Sequence, residues 1–254
     1  MEYLTVKEIA NKWNISDRSV RNYCAIGRIP GAYLKGKVWL IAEDAKKPVR
    51  NKKEDTLLEI LQDEKDNKYS GGIYHKTQID LTYNSNHIEG SRLSHDQTRY
   101  IFETNTINME GEIVNVDDVV ETTNHFRCID MIIDNARAPL SEKLIKELHL
   151  VLKNGTSDSR KEWFAIGEYK KKPNVVGGME TFLPEEVGEK IKNILKEYNG
   201  IKKKTFDDIL DLHVKFERIH PFQDGNGRIG RFLILKQCLE SGIDLIAIDN
   251  MYSN

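Results

Sequence analysis

Apolar residues recur at helical spacing along most of this chain. Over 206–219, Phe206, Ile209, Leu210, His213 and Phe216 fall on one face of a helix, and we take His213 there as structural. A helix near 117–134 has Val119, Val120, Phe126, Ile129, Ile132 and Ile133 as its apolar set. Further helices are predicted at 57–66, at 72–86, from the Ser94-x-x-Gln97 capping box to about Glu103, at 141–153 and at 185–198. Asn154-Gly155 and Asn199-Gly200 are the expected stops of the last two. Residues 231–239 are apolar nearly all round, the mark of a helix buried at the centre of a bundle. The helical pattern lapses between Phe164 and Leu183, where Pro173 and Gly177-Gly178 predict a β-hairpin with its tip at the glycines.

The first 48 residues follow a different pattern. Thr5-x-x-Glu8 opens a short helix through Trp13, and Ser16 can cap a second to about Tyr23. Val20, Tyr23 and Ile26 are expected to face inward, and Tyr33–Ile41 reads as a hairpin around Lys35-Gly36-Lys37. Pro48 to Asp55 is lysine-rich without apolar periodicity, a linker composition.

Charge sharpens this division. The whole chain has a net charge of −2, yet residues 1–53 carry twelve basic side chains against five acidic ones. A basic head on an acidic body points to two domains with different partners. With 39% hydrophobic and 31% charged residues in 254, the chain has the composition of a packed globule and not of a disordered polymer. No apolar run is long enough for a membrane span and the N-terminus is no signal peptide, so no membrane partner is expected. Cys24, Cys128 and Cys238 have no metal-binding spacing and read as free thiols of a cytoplasmic protein, with Cys238 buried.

The chemistry concentrates in residues 220–231, His-Pro-Phe-Gln-Asp-Gly-Asn-Gly-Arg-Ile-Gly-Arg. Backbone N–H groups around Gly225, Asn226 and Gly227 can converge on phosphate oxygens, with the N-terminus of the following helix aimed at the same anion. Arg228 and Arg231, three apart, are planar forks suited to phosphate. Asp224 is a hard oxygen ligand for magnesium, and His220 is a base with a free pKa near neutrality.

This stretch resembles the signature of the Fic family, His-x-Phe-x-Asp/Glu-Gly-Asn-Gly-Arg-x-x-Arg, and matches it at every specified position. The resemblance, which covers roughly residues 70–250, implies transfer of AMP from ATP to a hydroxyl of a target protein. In that reading His220 deprotonates a serine, threonine or tyrosine hydroxyl and Asp224 holds magnesium against the α- and β-phosphates. Gly225, Asn226, Gly227 and Arg228 cradle the phosphate chain, Arg231 takes the γ-phosphate, and Phe222 anchors the loop. Phosphorylating relatives of the Doc type have lysine at the position of Gly227, so the glycine favours nucleotidyl transfer. The family also implies that the 164–183 hairpin is a flap, presenting Lys172, Val175 and Val176 to a docked target strand.

Upstream, Ser85-Asn86-His87-Ile88-Glu89-Gly90 matches the family's inhibitory pattern Ser/Thr-x-x-x-Glu-Gly/Asn. It implies that Glu89 pairs with Arg231 and blocks the γ-phosphate position, and that the enzyme can also remove AMP. The competing reading is a helix end capped by Gly90 with Glu89 in solvent.

Residues 3–48 resemble the small winged helix-turn-helix of the MerR and excisionase type. That resemblance implies DNA contacts by Arg18, Ser19, Arg21 and Asn22 on the second helix and by Lys35 and Lys37 on the wing. A protein-docking module is the alternative.

The fold expected is therefore mainly α: a winged helix-turn-helix at 1–48, a linker and connecting helix at 49–69, and a Fic helical bundle with a small β-hairpin flap at 70–254. Relatives usually continue in further helix, so the bundle is expected to be shortened after Ile246–Asp249, and a homodimer is among the arrangements left open. Two function classes stand: a self-restrained AMP transferase, or a DNA-binding regulator whose Fic body senses nucleotide. A Fic-type phosphotransferase is a further alternative.

Overall fold

The computed structural model describes residues 3–25, 27–48, 55–108, 111 and 113–243, and divides into two compact units, Met1–Glu54 and Asp55–Asn254. Ile26, most of the linker and the tail beyond Ile243 lie outside the described residues.

In the smaller unit β1 (Tyr3–Thr5) leads into α1 (Val6–Trp13) and α2 (Asp17–Ala25), followed by β2 (Tyr33–Lys35) and β3 (Val38–Ala42). Thr5 and Glu8 close the capping box reciprocally, and Asn14 ends α1 in the left-handed region at φ 50°. Ser16 Oγ accepts the Ser19 N–H at 3.2 Å, as the cap of α2 requires. The three strands form one antiparallel sheet in the order β1-β3-β2, with Gly36 at φ 65° making the β2–β3 turn. β1 is an addition to the expected hairpin: three residues are too short a run for an alternating pattern to show. Ile9, Val20, Cys24 and Ile41 fill the core of this unit, so Cys24 takes an inward position on α2 while Tyr23 is only half-buried.

The larger unit is a helical bundle. Its elements in order are α3 (Leu57–Asp66), α4 (Ile73–Ile88), α5 (His95–Thr104), α6 (Val116–Asn135), α7 (Glu142–Lys153), β4 (Val175–Val176), β5 (Met179–Glu180), α8 (Pro184–Asn199), α9 (Phe206–Ile219) and α10 (Asn226–Ser241). Side-chain oxygens of Thr56, Ser94, Asn115, Ser141 and Thr205 cap the helices they precede, and Pro184 occupies the first turn of α8. Pro173 and the glycine tip place β4 and β5 as the expected hairpin, with Val175 opposite Glu180 and Gly177-Gly178 between the strands.

The core is built around α10, whose residues from Asn226 to Leu239 are mostly buried. It is less apolar than its sequence suggests, because Lys236 and Gln237 are fully buried in it. Lys236 is satisfied there: its ammonium donates to the carbonyls of Ala136 at 3.2 Å and Ala138 at 2.6 Å, just past the end of α6, and to Glu240 at 2.9 Å. On α9 the buried stripe is Ile209, Leu212, Phe216 and Ile219, so Leu212 takes the place expected for Leu210. His213 is only half-buried, which corrects its assignment to the core face. The stripe rotates because Ile219 must pack inward where the chain turns into the loop that follows. All three cysteines are free and buried.

Candidate active site

The loop between α9 and α10 is fixed by its own sequence. His220 caps α9 in the left-handed conformation, φ 51°, with its N–H donating to Phe216 O at 3.0 Å, and Pro221 prevents the helix from resuming. The Asn226 side chain then closes the loop in both directions: its Oδ1 accepts the Phe222 N–H at 2.8 Å and its Nδ2 donates to Phe222 O at 2.9 Å. Asn226 is thus a clamp, its side chain committed to the Phe222 backbone. Phe222 is fully buried and stacks on His149 at 3.9 Å between centroids, the anchor expected of it. Gly225 starts α10 at φ 78°, a conformation that favours glycine, while a Cβ there would make only ordinary contacts with Leu152 and His149.

His149 on α7 was not singled out by sequence reasoning. It lies beneath the loop, accepting from the Gly167 N–H at 2.9 Å and donating to Asp224 O at 3.2 Å. Burial holds its pKa down at about 3, so it is neutral and its tautomer is set by these two contacts. The only sequence trace of this role is a histidine within an otherwise apolar helix face.

His220 is mostly buried, with 16% of its side chain exposed, and burial, aided by Lys170, lowers its pKa below 6.5. A neutral imidazole is the form that can take a proton. Glu217, one turn earlier on α9, places Oε2 3.9 Å from His220 Nδ1, and burial raises that carboxyl to about 7. Glu217 and His213 line a cleft of about 870 Å³ with Val176, Thr181, Phe182 and Arg218, between the hairpin and α9. Gly230 is required opposite them, since a Cβ would sit 2.5 Å from Glu217 Oε1 and 2.8 Å from His213.

The two arginines of the motif do not work as a pair here. Arg228 is buried, its guanidinium on the carboxylate of Glu121 from α6 and 3.5 Å from Asp224 Oδ2. Glu121, unnoticed in the sequence, draws Arg228 inward, so the two guanidiniums of the motif rest on different carboxylates. Arg231 instead meets the segment from α4. Its Nε donates to Ser85 Oγ at 2.9 Å, and its Nη2 donates to Ser85 O at 3.0 Å and to Glu89 Oε1 at 2.6 Å. Glu89 remains exposed, but its carboxylate lies against the first turn of α10, 2.4 Å from where a Cβ on Gly227 would stand. Gly90, at φ 93°, turns the chain away.

Asp224 is the residue that fits a magnesium ion. One oxygen, Oδ2, takes Lys153 Nζ at 2.7 Å, and 45% of the side chain is exposed. Burial opposes its charge, but Lys153 and Arg228 outweigh that and hold its pKa at about 2. Among the described residues no group of three or more His, Cys, Asp or Glu side chains is poised around a metal. A lone carboxylate suits magnesium that takes its other ligands from phosphates and water.

The hairpin hangs on the loop. Lys170 N donates to Pro221 O at 2.8 Å, Asn174 Nδ2 to Phe222 O at 3.0 Å, and Lys172 N to Gln223 Oε1 at 3.3 Å. The Lys170 ammonium, buried and lowered by burial to about 8, bridges Asn174 Oδ1 and Thr181 Oγ1 at the hairpin base. Lys172, Val175 and Val176 are exposed. In the smaller unit Arg18, Arg21, Asn22, Lys35 and Lys37 are exposed, while Ser19 is half-buried and bonded to Ser16.

Among the described residues no helix is long and apolar enough to cross a membrane. The Fic/DOC family model matches residues 139–238. Protein adenylyltransferase fic-1 of Caenorhabditis elegans is 29% identical over 176 residues, which cover 66% of this chain and 33% of that protein. The chain thus spans about a third of the length of the curated relative it matches. A Fic-domain signalling protein from Bacteroides thetaiotaomicron VPI-5482 superposes with TM-score 0.58 at 25% identity, over 77% of this chain and 80% of that one. A Fic family protein from Desulfovibrio desulfuricans G20 gives TM-score 0.52 at 20% identity, over 74% and 62%. The stretch that matches the Fic/DOC family model spans the loop, its supporting α7 and most of the buried α10, and the similar solved structures share the mainly helical fold.

Proposed function

We propose that this protein transfers AMP from ATP to a serine, threonine or tyrosine hydroxyl of a target protein, and that Glu89 restrains it. The observation that carries this reading is the Arg231–Glu89 contact at 2.6 Å against Gly227. A carboxylate stands at the head of α10, on the guanidinium and helix N-terminus that would otherwise receive a phosphate.

In the mechanism the N-terminus of α10 and Arg231 hold the triphosphate, and Asp224 would hold the magnesium ion, which neutralises charge developing on the phosphates. His220, neutral at physiological pH, accepts the proton of the target hydroxyl as its oxygen attacks the α-phosphorus. The bond to the bridging oxygen breaks in line, releasing pyrophosphate. Val175 and Val176 at the exposed hairpin edge offer backbone pairing to an extended target segment beside the cleft lined by Glu217 and His213. Glu89, held on Arg231 and still open to solvent, also suits the reverse reaction, orienting a water for removal of AMP. The similarity to fic-1 of C. elegans, a protein adenylyltransferase, supports AMP as the group moved.

The smaller unit is proposed to bind DNA. Arg18, Arg21 and Asn22 project from α2, and Lys35 and Lys37 flank the turn at Gly36, giving a recognition helix and a basic wing. The test of the enzymatic reading is incubation of the full chain with α-labelled ATP and magnesium. Glu89→Gly should label itself and added proteins, and Glu89→Gly/His220→Ala should not. Label from γ-³²P instead would overturn nucleotidyl transfer in favour of phosphotransfer.

A further inference from the structure

Lys153, at the end of α7, is among the largest fully buried side chains of the protein. A lysine in that position must have its charge answered locally, and it has three partners. Its ammonium lies 2.5 Å from Glu121 Oε1, 3.0 Å from Asp158 Oδ2 and 2.7 Å from Asp224 Oδ2. Arg228 bridges Glu121 and Asp224 from the other side, and Lys161 reaches Asp158 at 2.6 Å. Three carboxylates therefore face three cations. Lys153 alone touches all three carboxylates.

Both cations on Asp224 fall on the same oxygen, Oδ2. Neither cation takes the other oxygen, and 45% of the side chain is exposed. The ammonium thus does two things to Asp224. It fixes the plane of the carboxylate, and it places a positive charge on the side of Asp224 that faces Glu121 and Asp158.

We propose that Lys153 is a positioning residue that occupies the inner oxygen of Asp224 as a built-in cation, so that the site takes magnesium only when nucleotide brings it. The inference rests on the reading of Asp224 as the cation ligand. Removing the charge while keeping the bulk, in Lys153→Met, leaves Asp224, Glu121 and Asp158 converging on a vacated cation position. Hard carboxylate oxygens in that arrangement attract a divalent ion directly.

The experiment is a titration of the full chain with Mn²⁺ in the absence of nucleotide, reading the free-ion electron paramagnetic resonance signal. Wild type should show no saturable binding up to about millimolar metal, within the range of sites poor in ligands. Lys153→Met should bind one Mn²⁺ per chain at least about tenfold more tightly, since a unit charge a few ångströms from a divalent ion is worth that much even in a well-screened setting. Lys153→Met/Asp224→Asn should lose the site. In transfer assays in the Glu89→Gly background, the magnesium concentration for half-maximal rate should fall by a similar factor in Lys153→Met.

Binding in the folded Lys153→Met chain no tighter than in wild type would overturn the proposal, as would a gained site that survives Asp224→Asn. Lys153→Gln keeps a donor to Asp224 without the charge and serves where the methionine variant does not fold. If circular dichroism shows neither variant folded, Lys153 belongs to the core and the proposal falls. Asp224→Asn alone tests the underlying reading: transfer with unchanged magnesium dependence would remove Asp224 as ligand, whatever Lys153 does.

Discussion

If Glu89 occupies the γ-phosphate position, ATP and ADP should bind the wild-type protein almost equally, and Glu89→Gly should separate them. Arg231 receives three acceptors, two from Ser85 and one from Glu89, and its side chain is only 14% exposed. All three carry the charge of the guanidinium, but only the Glu89 contact joins opposite charges, and it is also the shortest, at 2.6 Å. A hydrogen bond to a charged group contributes about 1.5–3 kcal/mol. The Glu89 side chain is 29% exposed, so the lower half of that range applies. The guanidinium released in Glu89→Gly can give the same interaction to the γ-phosphate, which corresponds to about tenfold tighter ATP than ADP. The substitution should be tolerated structurally, because Glu89 is the C-cap of α4 at φ −84° and its neighbour Gly90 already makes the left-handed turn. Calorimetric titration of wild type and Glu89→Gly with each nucleotide and magnesium measures the two ratios. Equal ATP-to-ADP ratios in the two proteins would refute the assignment of Arg231 to the γ-phosphate. Ser85→Ala, which removes one acceptor and leaves the Ser85 carbonyl, should change the ratio far less.

Other outcomes follow from the same geometry. In the Glu89→Gly background, His220→Ala should lower transfer by about 10²–10⁴-fold with unchanged circular dichroism. The rate of the His220 form should decline on the acid side with a midpoint below 6.5, because burial lowers the pKa of the base; a midpoint above 6.5 would exclude it. Stability should rise with pH between about 3 and 6.5 from His149, whose folded pKa is depressed by burial. The unfolded chain binds the extra proton in that window, so the contribution is complete above 6.5 and is lost on acidification, by about 1.4 kcal/mol per pH unit at most. Urea unfolding of wild type and His149→Gln across that range would expose the slope, which the variant should lack. For the smaller unit, full-chain binding to genomic DNA fragments should weaken steeply with salt, and Lys37→Ala should reduce the salt slope by about one. No binding at low salt would leave that unit as a protein-docking module.

What the sequence made legible were features carried by local rules. Helix starts were announced by Thr5, Ser16 and Ser94, the hairpin tip by two glycines, and the loop by residues whose roles depend on neighbours a few positions away. The Ser85–Glu89 contact with Arg231 spans nearly 150 positions, and it was readable only because a family resemblance linked the two segments. Lys153, Glu121 and His149 had no such help. Each sits in an unremarkable helical context, and its importance arises from what α6 and α7 bring against the loop in space. The inward turn of Arg228 was missed for the same reason: a guanidinium goes to the nearest buried carboxylate, and Glu121 is 107 positions away.

The double clasp of Asn226 on Phe222 has a consequence for how the protein responds to nucleotide. A loop whose amide and carbonyl are both tied to one buried side chain is already in its bound shape, so little chain entropy is left to lose there. The Phe222 amide should exchange its hydrogen only when the domain opens, with or without ATP. The response to ligand is then carried by the segment ending in Ser85–Gly90, which has a partner to give up. On the proposed function, the loop should then be the rigid member of the site and the end of α4 the part that moves.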